Sequence, residues 1–245
     1  MSDVSELVTL HVWRVPRRAL PRALTRMALD PRRLRRTAGV RFGKLLGTGT
    51  GTGFGPTDTD LTRWAALVVW ADPAAAARFD ATGVGRAWQR IATAGARLDL
   101  RPLASRGRWS GIEPFGQPDG GRSDRPVLAL TRARLRARRA PTFWRAVPPV
   151  AAALRSAPGL LARFGVGEAP IGWQGTVSVW RNASDLVRFA YRHPEHRAAI
   201  ARTPTERWYA EELFARFEVR DVAGDRAVLG WVGDDGEANV RSGHA

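Results

Sequence analysis

The chain has no cysteine. Disulfides, thiolate metal sites, iron–sulfur ligation by the protein and a thiolate-bound haem are therefore excluded. Lysine is almost missing as well: Lys44 is the single lysine among 39 Lys and Arg, so the formal net charge of +16 is carried by arginine. No stretch approaches the roughly 18 uninterrupted apolar residues of a spanning helix. The first residues carry Asp3 and Glu6 and no apolar run, so no secretory signal is expected and the cytoplasm is the default location. No HExxH, paired-carboxylate or Ser-His-Asp arrangement can be assembled by spacing. Helix-turn-helix, zinc-finger and RNA-binding aromatic motifs are also missing, so the basic surface points to an anionic membrane face or an acidic electron donor ahead of nucleic acid.

Hydrophobic residues make up 44% and charged residues 25% of the 245, the balance of a globular chain with enough length for a large core. Ten Trp is a high number; such an excess either lines an apolar cavity or fills cores.

One pattern occurs twice. Leu67-Val68-Val69-Trp70 leads into Asp72 and closes on Arg78-Phe79; Val177-Ser178-Val179-Trp180 leads into Asn182 and closes on Arg188-Phe189. Each reads as a strand that ends, caps and launches a helix. Self-similarity at half the chain length predicts a duplicated domain.

Around these anchors, Leu7 to Val15 alternates as a half-buried strand, and Ala19 to Leu29 reads as a basic amphipathic helix stopped by Asp30-Pro31. Val40 to Leu46, Arg63–Trp70 and Arg97 to Leu103 complete a β-α-β-β-α-β order, the ferredoxin-like arrangement. The order restarts with Val127–Arg132, a helix from Pro141 to Leu154, strands Leu161–Val166 and Gly175–Trp180, helix from Ala183 towards Ala215, and a closing strand Phe217–Val222. Arg226–Trp231 is a candidate edge strand. The fold class expected is α+β: two ferredoxin-like halves (1–105 and 126–232) forming an α+β barrel, joined by a linker at 106–125 and followed by a polar tail at 233–245.

The halves differ in two places. Before Trp70 the run Gly47-Thr48-Gly49-Thr50-Gly51-Thr52-Gly53 forms a longer loop; it lacks the Lys-Ser/Thr pair and following helix of a phosphate loop, so an extended hairpin connection is the plainer reading. After Phe189 the second half carries an insertion with His193 and His196, in which Pro194 leaves His193 outside a helix and His196 inside it. A lone helical histidine can serve as a haem axial ligand. His11, mid-strand, reads as a satisfied structural histidine, and His244 lies in the tail. A single active site is expected where the two asymmetries meet or act on a shared pocket.

Five segments resemble the spheroidene monooxygenases, bacterial acyclic-carotenoid 2-ketolases. They run from Arg41-Phe42-Gly43-Lys44-Leu45-Leu46-Gly47 through the Gly/Thr run to Phe54, over Trp109-Ser110-Gly111-Ile112-Glu113-Pro114-Phe115, over Arg125-Pro126-Val127-Leu128-Ala129-Leu130-Thr131-Arg132-Ala133, over Phe164-Gly165-Val166-Gly167-Glu168-Ala169-Pro170, and over Trp208-Tyr209-Ala210-Glu211-Glu212-Leu213-Phe214-Ala215-Arg216-Phe217. The spacing of the last also fits an amphipathic helix. The resemblance implies an oxygen-dependent monooxygenase on an apolar polyene or terpenoid-like substrate, with haem, dioxygen as co-substrate and electrons from a ferredoxin or reductase. It implies His196 as catalytic haem ligand, with Arg41 and Lys44 pairing haem propionates and Trp208 beside the cofactor. Gly43 departs from the family, where a bulky aromatic is expected; its loss would widen or reshape a pocket and bears on whether the substrate is a carotenoid. The rival readings are a cofactor-free monooxygenase on the same barrel and a non-catalytic haem or lipophile carrier. A peripheral contact with the inner membrane face, and either a monomer or a homo-oligomer, are compatible with the chain.

Overall fold

The computed structural model describes residues 7–51, 58–116, 118, 120–121, 123–168, 173–192, 194, 197, 201–202 and 205–232. The first half runs β1 (Leu7–Arg14), α1 (Leu20–Arg35), β2 (Val40–Gly49), β3 (Thr59–Trp70), α2 (Pro73–Ala77), α3 (Gly83–Gln89) and β4 (Ala94–Gly107). The second runs β5 (Val127–Leu135), α4 (Ala140–Arg155), β6 (Leu160–Gly167), β7 (Trp173–Trp180), α5 (Ala183–Arg192) and β8 (Tyr209–Gly224). Their strands close into one antiparallel barrel in the order β1-β3-β2-β6-β7-β5-β8-β4. Each half supplies a four-stranded ferredoxin-like sheet, and the pairs β2–β6 and β4–β8 sew the two together. No described helix is long and apolar enough to cross a membrane.

Strand alternation sorts the side chains into two layers. Val8, Leu10 and Val12 of β1, Ala65, Leu67 and Val69 of β3, Leu128 and Leu130 of β5 and Leu213, Ala215 and Phe217 of β8 fill the barrel interior. Their neighbours face outward and are covered by helices: Trp13, Trp64 and Trp70 pack beneath α1 to α3, in one cluster with Trp88 of α3, and Trp180 packs with Phe189 of α5. Thus β1 is buried on both faces rather than half-buried. Most of the tryptophan excess fills the sheet–helix layers, which no composition count could tell from a cavity lining.

The repeated pattern serves the same purpose twice. Trp70 meets Phe79 at a ring separation of 5.8 Å and Trp180 meets Phe189 at 5.3 Å. Asp72 caps α2 by accepting from the Ala75 N–H at 2.7 Å, and Asn182 caps α5 by accepting from Asp185 at 2.9 Å. A step of nine from Trp to Phe carries the chain from the strand end through the cap to the 3-10 turn just past α2 in one half and to the second turn of α5 in the other, where the ring folds back over the indole.

The barrel ends are closed by equivalent means. β4 and β8 finish at Gly107 and Gly224, both with positive φ (+89° and +85°), where a Cβ would collide with the Glu212 and Gly95 carbonyls of the adjoining strand. The chain turns inward at each. After Gly107, Trp109 and Phe115 enter the interior at one end; after Gly224, Val228 and Leu229 of a short 3-10 helix (Arg226–Leu229) enter at the other.

Several local expectations are corrected by packing. Helix α1 runs through Pro31 to Arg35, because Leu34 is fully buried and the buried Asp30 carboxylate pairs with Arg26 and Arg33 on either side of the proline. Residues 209–217 are strand, not helix: Glu211, Leu213, Ala215 and Phe217 follow a period of two that shares one face with β5. The predicted edge strand at 226–231 is the 3-10 plug. Gly43 faces away from the interior, and a Cβ there would stand 2.9 Å from the Leu34 side chain; the missing aromatic admits Leu34 of α1 and opens nothing in the barrel.

Candidate functional site

At the end closed by Trp109, the inward rows of four strands stop being apolar. Phe42 is followed by Lys44 on β2, Leu130 by Arg132 on β5, Val166 by Glu168 just past β6, and Leu213 is preceded by Glu211 on β8. Two cations and two carboxylates therefore converge in the mouth of the barrel. Arg132 is 3% exposed, and both glutamates are 14% exposed.

Glu168 is the hub. Its Oε2 accepts from Lys44 Nζ at 2.7 Å, and its Oε1 accepts from Trp109 Nε1 at 2.7 Å and from Arg132 Nη2 at 2.8 Å. Arg132 Nη1 donates to Glu211, and the guanidinium lies 5.6 Å from the Trp109 ring centroid. Lys44 Nζ also donates to Ser110 Oγ at 2.7 Å. The equal numbers of opposite charges, each hydrogen-bonded, offset the cost of holding these groups with little solvent.

The tight turn Trp109–Ile112 joins this network by its backbone. Ser110 and Gly111 both have positive φ (56° and 80°), the geometry of a primed turn and a strained one for serine. Glu211 holds it, accepting from the Ser110 N–H at 3.1 Å and the Gly111 N–H at 2.7 Å. Burial raises the Glu211 carboxyl, but the Gly111 amide, Arg132 and the Ser110 amide outweigh it and leave it below the usual carboxylate range. The carboxylate thus pins a strained turn whose indole seals the barrel.

The opposite end carries a smaller polar group. Arg63, 6% exposed, lies 4.9 Å from the Phe164 ring centroid and donates to the Gly49 carbonyl at 2.7 Å. Asp58 accepts from the Gly51 N–H at 3.0 Å, bracing the start of the Gly/Thr loop. The loop leaves from this end, whereas Trp208, which closes the second insertion, sits beside Leu135 at the network end. The described start of the loop and the described end of the second insertion thus stand at opposite ends of the barrel, and the middle of each lies outside the described residues.

Of the residues predicted from sequence, only Lys44 lies in the network among those described. Arg41 is exposed at the bulge that opens β2. Trp208 is buried outside the barrel, donating to Thr142 Oγ1 at 3.1 Å and packing edge-on to Phe143 of α4. His196, like His193, His244 and the 52–57 part of the Gly/Thr loop, lies outside the described residues. His11 is buried between Trp13 and Phe79, with Nε2 3.1 Å from Thr9 Oγ1. Its burial, reinforced by Arg97, pushes its pKa down to about 3, so it is a neutral structural histidine.

Arg132, Trp109, Glu168 and Glu211 were not singled out by sequence reasoning. The available signal was a charged residue continuing an inward apolar row, visible only once strand parity is known. Each of the five segments that carry the family resemblance contributes a member: Lys44, Trp109 with Ser110 and Gly111, Arg132, Glu168 and Glu211.

No family model matches the chain. Among curated proteins, the spheroidene monooxygenase of Rhodobacter capsulatus is 35% identical over 222 residues, covering 89% of each chain. The chain belongs to the spheroidene monooxygenase family. It is accordingly a monooxygenase. The family member of Cereibacter sphaeroides is 34% identical over 203 residues, covering 81% of this chain and 61% of that protein. Among solved structures, an aldoxime dehydratase matches with a TM-score of 0.56 at 14% identity, covering 90% of this chain and 83% of that one. At that identity the likeness is one of fold, and it agrees with the duplicated α+β barrel.

Proposed function

We propose that this monooxygenase inserts oxygen into an apolar polyene of the carotenoid class, with the Trp109 end of the barrel as the reacting end. The observation that supports this reading is the convergence of all five family segments on one buried network there. One atom of dioxygen enters a C–H bond and the other leaves as water, which consumes two electrons from a ferredoxin- or reductase-type donor and two protons. Lys44 is suited to the protons: its ammonium touches both the Glu168 carboxylate and the exposed Ser110 hydroxyl, each at 2.7 Å. A proton released from Nζ can be replaced from solvent through Ser110, while Glu168 keeps the ammonium in place. Trp109 and Arg132 exclude bulk water from the interior, which strengthens these interactions. A polyene offers no polar group to grip, so its position is left to apolar walls.

The haem that the resemblance implies finds no cradle in the residues first assigned to its periphery. Lys44 is committed to Glu168 inside the barrel, Trp208 to Thr142 outside it, and Arg41 is exposed on the β2 bulge. These three do not share a site; His196 remains its proposed ligand.

The test is turnover of an acyclic carotenoid in micelles under isotopically labelled dioxygen, with a reducing donor and mass analysis of the product. Label in the product from dioxygen supports the reading. Oxygen drawn from water, or no consumption of dioxygen with any donor, overturns it.

A further inference from the structure

We infer that α1 is a docking surface for an anionic lipid bilayer. Its solvent face divides along its length. Arg17, Arg18 and Arg22 are exposed at its start, and Arg32, Arg35 and Arg36 at its end. Between them the exposed residues carry no charge: Leu24 is 54% and Leu29 49% exposed, with Thr25 and Ala28 beside them. Leu24 with Ala28, and Thr25 with Leu29, are four apart and share the outward arc. The only acidic residue of the helix, Asp30, is buried and paired with Arg26 and Arg33. Ala23 and Leu34 hold the opposite face to the sheet, so the helix is anchored and its outer face is presented as a fixed plane.

An apolar centre between guanidinium groups matches a bilayer interface lying parallel to the helix. Phosphate groups take the arginines, and the acyl boundary takes the leucines. A nucleic acid duplex would satisfy the arginines and leave the leucines in water. The fold does not require such a face. The equivalent helix of the second half, α4, also has exposed arginines at and near its ends (Arg138, Arg139 and Arg155, with Arg145 between), but the other residues exposed along it are Pro141, Pro148, Pro149 and Ala152, with no leucine among them. The feature therefore belongs to one half and stands apart from the network in the barrel mouth.

The experiment is co-sedimentation of the purified full chain with vesicles of phosphatidylcholine alone or mixed with phosphatidylglycerol, in parallel with duplex DNA. Wild type is expected on the anionic vesicles only, less so as salt rises. R32Q/R35Q should lower partitioning about 25-fold, about fivefold for each basic residue lost near the surface. L24S/L29S should lower it about tenfold, as the loss of two half-exposed leucines requires. R138Q/R139Q, at the start of α4, removes equal charge and should change it several-fold less than R32Q/R35Q. Circular dichroism confirms that each variant is folded. Equal binding to neutral vesicles, no binding to anionic ones, or R138Q/R139Q matching R32Q/R35Q would overturn the inference. So would an L24S/L29S variant that binds like wild type, especially alongside tight DNA binding, because the surface would then be purely electrostatic.

Discussion

Replacing Glu168 by glutamine tests the network at its hub. The exchange keeps the side-chain shape but turns one acceptor oxygen into an NH2 group facing donors. Glu168 receives Lys44 on one oxygen and Trp109 and Arg132 on the other, so neither amide orientation satisfies all three. Removing one member of a buried ion pair costs about 3–5 kcal/mol when the remaining charge is stranded. Here Arg132 keeps Glu211, Lys44 keeps Ser110, and both Lys44 and Glu168 have some access to water (18% and 14%), which lowers the expectation to about 2–3 kcal/mol. In a chain of this size that is a fall of about 5–10 °C in Tm. Urea unfolding followed by tryptophan fluorescence reads it directly, with E168Q, K44M and the double variant compared. K44M alone should cost less, because Glu168 still meets Arg132 and Trp109, and the double variant should cost less than the sum of the two. A change under about 0.5 kcal/mol for E168Q, or strict additivity, would show that the groups are solvated independently.

The remaining expectations are more local. His11 has a folded pKa depressed to about 3, so its stabilising contribution is complete above the unfolded value near 6.5 and is lost as pH falls. By pH 5 the loss is about 2 kcal/mol, and H11F should flatten the urea midpoint between pH 6.5 and 5 if that assignment holds; parallel curves would refute it. Glu211, also depressed, adds a second loss of stability below about pH 4, which E211Q should remove from an acid titration followed by circular dichroism. Gly107→Ala meets both a positive φ and the Glu212 carbonyl, so a loss of at least about 2 kcal/mol is expected from urea unfolding. If haem is bound, K44M and W208F should leave its Soret absorption in place, since neither side chain is available to it, whereas H196A should abolish the Soret shift on reduction.

Sequence alone was sufficient for the duplicated halves, the β-α-β-β-α-β run of elements along the chain and the cap-to-helix transitions. These depend on local periodicity and on residues a few positions apart, such as Asp72 with Ala75 or Trp70 with Phe79. Segments where local preference and packing disagree needed the structure. Pro31 does not end α1 because Leu34 and Asp30 are held by the sheet and by arginines on both sides. The 209–217 segment can satisfy either a helical or a strand period, and only its pairing with β5 and β4 decides. The site depended on tertiary structure most of all. Lys44, Trp109, Arg132, Glu168 and Glu211 are spread over most of the chain, and each reads separately as an ordinary strand or turn residue. Barrel closure turns them inward at one mouth, where removal from water makes their charges answer to one another.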